Sequence, residues 1–189
     1  KNQESMVSDQ YRLYFTDKQR GAVIRLSNDG ITPISSVGMK TWFRNNLRGS
    51  DTLLGTFDPV SDEYNLSILK NEKWQTISFS EGSKGWISFK SFVPEEGTAV
   101  SGKYLTAMAN EVWMHNSDDV PRNTFYGGFE ESHIDILFND IPSAVKTFMT
   151  CNYEGSQARV LTLSDESTTD AAGNTVSYLR NGTGYDLRL

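Results

Sequence analysis

The stretch LYFTDKQRGAVIRLSNDGITPIS, residues 13–35, decides the fold. It consists of short strand-favouring runs cut by two turn signals. In AVIRLS, Ala22, Ile24 and Leu26 alternate with Val23 and Arg25, the two-residue period of a half-buried strand. Gly21 and the run Asn28, Asp29, Gly30 supply residues that tolerate positive φ. Pro33 suits a sheet edge or a strand end. A phosphate loop, a sugar-binding edge and one blade of a repeating β-structure all begin this way. A phosphate loop needs GxxxxGK[ST], which DKQRG and SNDG lack. Elsewhere, Gly102, Lys103 and Tyr104 lack both the upstream glycine and the hydroxyl. The stretch therefore reads as the two turns of a blade, with Ile24 and Leu26 facing the core.

Outward from it the pattern changes once and then returns. Met39, Trp42, Phe43 and Leu47 fall at i, i+3, i+4 and i+8, which predicts one short helix packed on a sheet. Ser35 or Ser36 is the expected cap and Gly49 the expected end. TLLGTF (52–57) and EYNLSIL (63–69) then flank DPVSD as a hairpin, with Tyr64, Leu66 and Ile68 on one face. WQTISFSE (74–81) and KGWISFKSF (84–92) follow, with Gly82 and Gly85 around their turn, and Pro94 to Gly97 is expected to break the run. KYLTAMA (103–109) and EVWMHN (111–116) form a tight hairpin candidate around Asn110. HIDILFND (133–140) alternates Ile134, Ile136 and Phe138, and VKTFMTCNYE (145–154) reads as a further strand.

Turns at about 8–12-residue spacing belong to all-β sandwiches, barrels and propellers. Exact repeats are absent, but aromatic-rich strands and polar turns recur loosely, as in propeller blades of about 40–50 residues. The expected fold is mainly β: β-propeller-like or related antiparallel blades with one short helix, an incomplete part of a larger fold. Residues 1–160 are expected to form the β-rich module and 161–189 a C-terminal hairpin or extended arm. The polar stretch SDESTTDAAGNT (164–175) reads as a loop, and TVSYLRNGTGYDLRL as a last hairpin around Asn181 and Gly182 or as an arm pairing with a neighbour.

The 189 residues, 37% hydrophobic and 12% aromatic, suffice for one large domain, or one with an appendage, and are too apolar for a disordered chain. No apolar run approaches the roughly 18–20 residues of a membrane span. A net charge of −6 argues against general nucleic-acid binding, which rests on neutralising phosphates. The single cysteine, Cys151, rules out an internal disulfide framework and reads as a buried, inert thiol. The first residue is Lys1 and no signal-type segment follows, so a processed product or a portion of a longer chain is expected.

The residues offer little catalytic chemistry. His115 and His133 are the only histidines, are not at metal-ligand spacing, and read as surface or partly satisfied groups. There is no GxSxG elbow, no HExxH and no EF-hand loop. Asp58, Asp62, Glu63, Glu95, Glu96, Asp118, Asp119, Glu130 and Glu131 mostly lie in turns, where solvated acids are ordinary. A glycosidase needs two carboxyls set across a cleft, a geometry that sequence does not show. Asp58 with Asp62, or Asp170 with Asn174, are the weak calcium candidates. Trp42, Trp74, Trp86, Trp113, Tyr126 and Phe129 form either a sugar-stacking platform or core filling, and core is the reading preferred for most of them. The glycosylation triplets at Asn65 and Asn181 arise easily by chance. The expectation is therefore no enzyme, no catalytic residue, no metal and no cofactor.

YFTDKQRGAVIRLSNDGITPIS, GMKTWFRNNL and LLGTFDPVSDEYNLSI resemble a segment of large structural proteins of tailed bacteriophages. ISFSEGSKGWISFKSFVPEEG, VWMHN, PRNTFYGG and LFNDIPSAVKTFMTCNYEGSQ extend the likeness, to tail-associated virion proteins of marine and gut crAss-like phages. The resemblance covers residues 11–158; the last 30 or so carry no family phrase. It implies a propeller-like module within a larger polypeptide of the virion, in a nozzle- or muzzle-type distal tail assembly. Implied partners are other copies, neighbouring tail proteins and the rest of the parent polypeptide. A tail receptor- or glycan-binding module, facing host surface glycan, is the alternative. The resemblance brings no catalytic residue.

Overall fold

The computed structural model describes residues 2–135, 143–145 and 147, together with the backbone of 163–169 and 175–181. The described chain is mainly β with one α-helix, its sheets are antiparallel and none closes into a barrel. It divides into two units, Lys1–Glu130 and Glu131–Leu189.

The opening stretch forms three strands of a four-stranded meander: β1 (Asn2–Ser8), β2 (Leu13–Asp17), β3 (Ala22–Ser27) and β4 (Gly30–Pro33), paired in chain order. Gly21, at φ +68°, closes the β2–β3 turn, its N–H donating to Asp17 O at 2.8 Å. Gly30, at φ +102°, begins β4. A second four-stranded meander follows: β5 (Thr52–Asp58), β6 (Glu63–Lys70), β7 (Lys73–Ser80) and β8 (Gly85–Lys90). A third sheet has three strands, β9 (Glu96–Val100), β10 (Lys103–Met108) and β11 (Glu111–Met114), again in chain order. A small hairpin, β12 (Thr124–Phe125) and β13 (Gly128–Phe129), completes the first unit. The second unit contains the hairpin β14 (Leu163–Thr169) and β15 (Thr175–Asn181).

The helix α1 (Lys40–Leu47) lies between the first two sheets in the chain and carries the predicted apolar stripe. Phe43 and Leu47 are fully buried, while Met39 and Trp42 pack against the same core. Eight residues are too few for a helix to persist alone, so this packing is what keeps it. The core takes Tyr14 and Val23 from the first sheet and Leu53, Phe57, Tyr64, Leu66, Ile68, Ile77 and Phe79 from the second. Tyr14 stacks on Tyr64 with centroids 4.8 Å apart, and Phe43 meets Trp86 at 4.4 Å. Each such side chain contributes about 1.5–3 kcal/mol of transfer free energy.

The structure corrects the sequence reading at several points. β1 was not expected: NQESMVS has no apolar alternation, and only Ser5 of it is buried, against Gly55 of β5. In β3 the buried residue is Val23; Leu26 is 39% exposed and Ile24 half-buried, the opposite phase to that expected. Both phases carry apolar residues there, so the period alone does not choose a face. β9 begins at Glu96, inside the expected break, because Gly97 is needed at a close strand approach. Met39, not Ser35 or Ser36, is the N-cap, and those serines sit in a 3-10 turn, Ile34–Ser36. Leu163–Thr169 pairs with Thr175–Asn181, so Asn181 lies in a strand and not in a turn, and Ser164–Thr169 of the polar run is strand. A two-stranded ribbon has no core face to impose apolar alternation. Residues 133–135, Val145 and Thr147 are not in strands; the rest of the two strands expected at 133–140 and 145–154, Cys151, Asp170, Asn174 and the boundary at 160 lie outside the described residues.

Candidate functional site: the faces that join successive sheets

Every expected site residue within the described part falls into structural use or onto open surface. Asp58 is buried at the end of β5, where it accepts from Val60 N–H (2.9 Å) and from Asn116 Nδ2 (2.9 Å). Asp62 pairs with Arg12 at 3.2 Å and Glu63 with Lys90 at 3.1 Å. Glu96, Asp118, Asp119, Glu130, Glu131 and His133 are exposed. Among the described residues no group of three or more His, Cys, Asp or Glu side chains is placed to hold a metal ion. No helix among them is long and apolar enough to cross a membrane.

His115 is the more enclosed histidine. One of its ring nitrogens shares a hydrogen bond with Thr106 Oγ1 at 2.8 Å, and Phe92, Tyr104, Phe125 and Tyr126 surround it. Burial pushes its pKa down, against a smaller upward pull from Asp58. The tryptophans do not share one platform: Trp42 and Trp86 pack against the core, and Trp113 meets Tyr126 edge-on at 5.6 Å. Trp74 (37%) and Phe129 (65%) are exposed at separate places on the chain.

An open hollow of about 490 Å3 lies between the β2–β3 turn and the end of α1, lined by Lys18, Gln19, Arg48 and Gly49. Its cations are engaged. Lys18 donates to Ser50 O, Arg48 to Gln19 O (3.1 Å), and Lys70 nearby to Asn45 O and Arg48 O. Lys70 thereby satisfies carbonyls that the end of α1 leaves without partners.

The repeated feature is the way the sheets join. β1 packs on β5, and β5 packs on β9, so the first strands of the three sheets run side by side in series. At each join a glycine admits the preceding strand. A Cβ on Gly55 would lie 2.3 Å from Ser5 O, and one on Gly97 would lie 2.5 Å from Thr56 Cγ2. At each join, also, a tyrosine of the incoming second strand reaches the preceding first strand. Tyr64 donates to Ser5 O at 3.0 Å, and Tyr104 shares a 2.7 Å hydrogen bond with Thr56 Oγ1. Burial raises the pKa of both phenols, so they remain protonated. The registers match: Gly55 is two residues before the partner of Tyr64, and Gly97 two before the partner of Tyr104. The sequence reading noticed only loose recurrence. The signal was present as GTFDPVSDEY and GTAVSGKY, Gly-Thr leading to Tyr across turns of different length.

The face of the second sheet toward the third is polar yet buried. Thr56, Asn65, Ser67, Thr76 and Ser78 line it, joined by Ser67–Thr76 (2.8 Å) and Ser78–Asn65 (2.5 Å) hydrogen bonds. The first join is tied at its rim by ions. Glu81 accepts from Tyr14 OH (2.5 Å) and lies 2.7 Å from Arg25 Nε, while Arg12 lies between Asp9 and Asp62. The hydrogen bond from Arg12 to Tyr14 is the largest influence holding that guanidinium protonated.

Compared with known proteins, the chain matches no family model, no curated protein and no solved structure. Fold and faces together define the class: a mainly-β protein built by adding antiparallel meanders one onto the next.

Proposed function

We propose that the chain is a structural module of a bacteriophage virion, within a nozzle- or muzzle-type distal tail assembly, and not an enzyme. The observation that carries this reading is the serial join. The same Gly–Tyr device adds the second sheet to the first and the third to the second. A body built this way is rigid and extensible, as a load-bearing assembly requires. The phage resemblance of residues 11–158 supplies the setting, and symmetric rings are the common form of such assemblies. The acidic net charge of −6 suits a conduit that does not grip passing DNA. Mass spectrometry of purified intact virions is expected to find peptides of this chain, and density maps to place it at the tail. Virions free of it would overturn the phage reading.

The glycan-binding alternative draws on exposed Phe129 and Trp74, but Trp42 and Trp86 are committed to packing. A glycan array is its test; binding that is lost in Phe129→Ala would establish it in place of the structural role.

A further inference from the structure

The hairpin β12–β13 has little of its own to hold it. Each strand has two residues, too few for a ribbon to persist alone. Its turn places Tyr126 at φ +53° beside Gly127 at φ +78°, and Asn123 before it stands at φ +61°. A bulky side chain in the left-handed region is strained. The hairpin therefore keeps its shape through what it docks on.

The docking contacts converge on His115, the residue after β11. Phe125 packs on Phe92 (centroids 5.2 Å) and on His115 (6.1 Å). Tyr126 meets His115 at 5.9 Å and Trp113 at 5.6 Å, both edge-on. Buried Thr106 of β10 carries the polar link: its Oγ1 lies 2.8 Å from His115 Nε2 and 3.1 Å from Tyr126 OH. Two links thus join three groups. With Nε2 bare, two hydroxyl protons fill both, Tyr126 donating to Thr106 and Thr106 to His115. A proton on Nε2 makes three protons for the same two links. One of them then has no partner within the trio, inside an aromatic-lined enclosure where an unpaired polar group is costly. The charge itself is also opposed. Burial works against it more strongly than Asp58, at the end of β5, works for it. Asp58 is already engaged by Val60 N–H and Asn116. The other titratable groups are Tyr104 on β10 and Tyr126, with Glu95 of the β8–β9 connection acting on Tyr126. Burial keeps both phenols protonated, so neither offsets an imidazolium.

We propose that His115 is a pH-operated latch: neutral, it holds the β12–β13 hairpin on the third sheet, and protonated, it releases the hairpin while the three sheets stay folded. The hairpin lies directly before the division after Glu130, so release adds its residues to the chain that joins the two units. The latch goes beyond the structural reading and rests on no part of the phage setting.

The test is hydrogen exchange of the full chain, followed by peptide mass spectrometry between about pH 7.5 and pH 5 and corrected for the intrinsic pH dependence of exchange, with protonation of the His115 ring read by NMR. Protection of residues 123–130 is expected to fall on the order of tenfold as the ring takes its proton, with that of β5–β8 unchanged. His115→Gln keeps an acceptor for Thr106 and does not titrate, so its hairpin is expected to stay protected throughout. His133, exposed and the only other histidine, is the control: His133→Gln is expected to behave as the native chain does. A hairpin that keeps its protection once the His115 ring is protonated, or that is already unprotected at the upper pH, would overturn the proposal. So would equal loss in His115→Gln, or loss that begins together in all three sheets, which would make the effect one of overall stability. Should His115→Gln fail to fold, the native chain alone decides, because hairpin release and ring titration at different midpoints would refute the latch.

Discussion

Gly55 and Gly97 do the same job against different obstacles, and substitution separates them. Neither has a positive φ, so alanine meets a problem of space and not of backbone strain. At Gly55 the obstacle is the Ser5 carbonyl, which is backbone and cannot rotate away. Gly55→Ala is expected to cost about 1–3 kcal/mol or more, seen as a lower denaturation midpoint. At Gly97 the obstacle is the Thr56 methyl. Gly97→Ala is expected to be destabilising alone and substantially recovered by Thr56→Ser, which removes that methyl and keeps the hydroxyl for Tyr104. Thr56→Ser giving no recovery would place the conflict elsewhere. His115 provides a second prediction at this scale. Its folded pKa lies below the ordinary value near 6.5, so the unfolded chain takes up the proton first. The stability it contributes is therefore full above that value and declines as pH falls through it toward the folded pKa. Asp58 on β5, Tyr104 on β10 and Tyr126 beside β12 are the titratable groups around it. His115→Gln is expected to flatten the fall in stability between roughly pH 7 and pH 5 relative to the native chain, in thermal melts across buffers. An unchanged slope would show that other groups carry the dependence. Tyr64, Leu66 and Ile68 were legible as a buried face because their strand alternates cleanly. The roles of Ser5 and Thr56 were not, since a small polar residue becomes an interface residue only when a strand distant in sequence arrives.

At the scale of elements, the turns explain why the strands were found and their edges blurred. Three hairpins have four-residue loops ending in a left-handed residue: Gly21 before β3, Asp62 (φ +53°) before β6 and Lys84 (φ +51°) before β8. Four others among the described residues have two-residue loops with both residues at positive φ: Asn71 and Glu72, Ser101 and Gly102, Ala109 and Asn110, Tyr126 and Gly127. Only some of these positions hold the glycine or asparagine that announces such a turn. Gly21 and Asn110 marked turns in the sequence; Lys84 and Glu72 have the same geometry without the sign. Lysine and glutamate there carry the left-handed penalty of roughly 1–2 kcal/mol, less the entropy that glycine would lose. Lys84→Gly and Glu72→Gly are thus each expected to stabilise by about 0.5–1 kcal/mol, Glu72→Gly by creating the Asn-Gly pair that two-residue hairpins prefer. Gly21→Ala is expected to destabilise, because its Cβ would come within 2.7 Å of Arg44 Cα in α1 as well as adopting φ +68°. Chemical denaturation of the three variants checks the set; a destabilised Lys84→Gly would refute the turn argument. The helix was legible for a different reason: its four apolar residues repeat with the helical period and no strand period fits them.

At the scale of the whole molecule, local pattern stops being informative. Alternation and turn residues identify hairpins, but nothing local says that β1 packs on β5, or β5 on β9, because those contacts join residues about fifty positions apart in one case and forty in the other. The division after Glu130 was equally hidden. Glu131–Asp135 are exposed and lie in no strand or helix. A protease needs such backbone, since a bound substrate must adopt an extended form that sheet pairing denies it. Limited digestion with a glutamate-specific protease is therefore expected to cut at Glu130 or Glu131 before any site within β1–β11. Glu63 is shielded by its ion pair with Lys90 and its place in β6, and Glu81 by Tyr14, Arg12 and Arg25. The product ending there keeps all three stacked sheets and α1, and is expected to melt cooperatively, with Trp42 and Trp86 still reporting a packed core. Early cutting at Glu63 or Glu81 would mean that the join between the first two sheets opens more readily than its buried tyrosines and ion pairs allow.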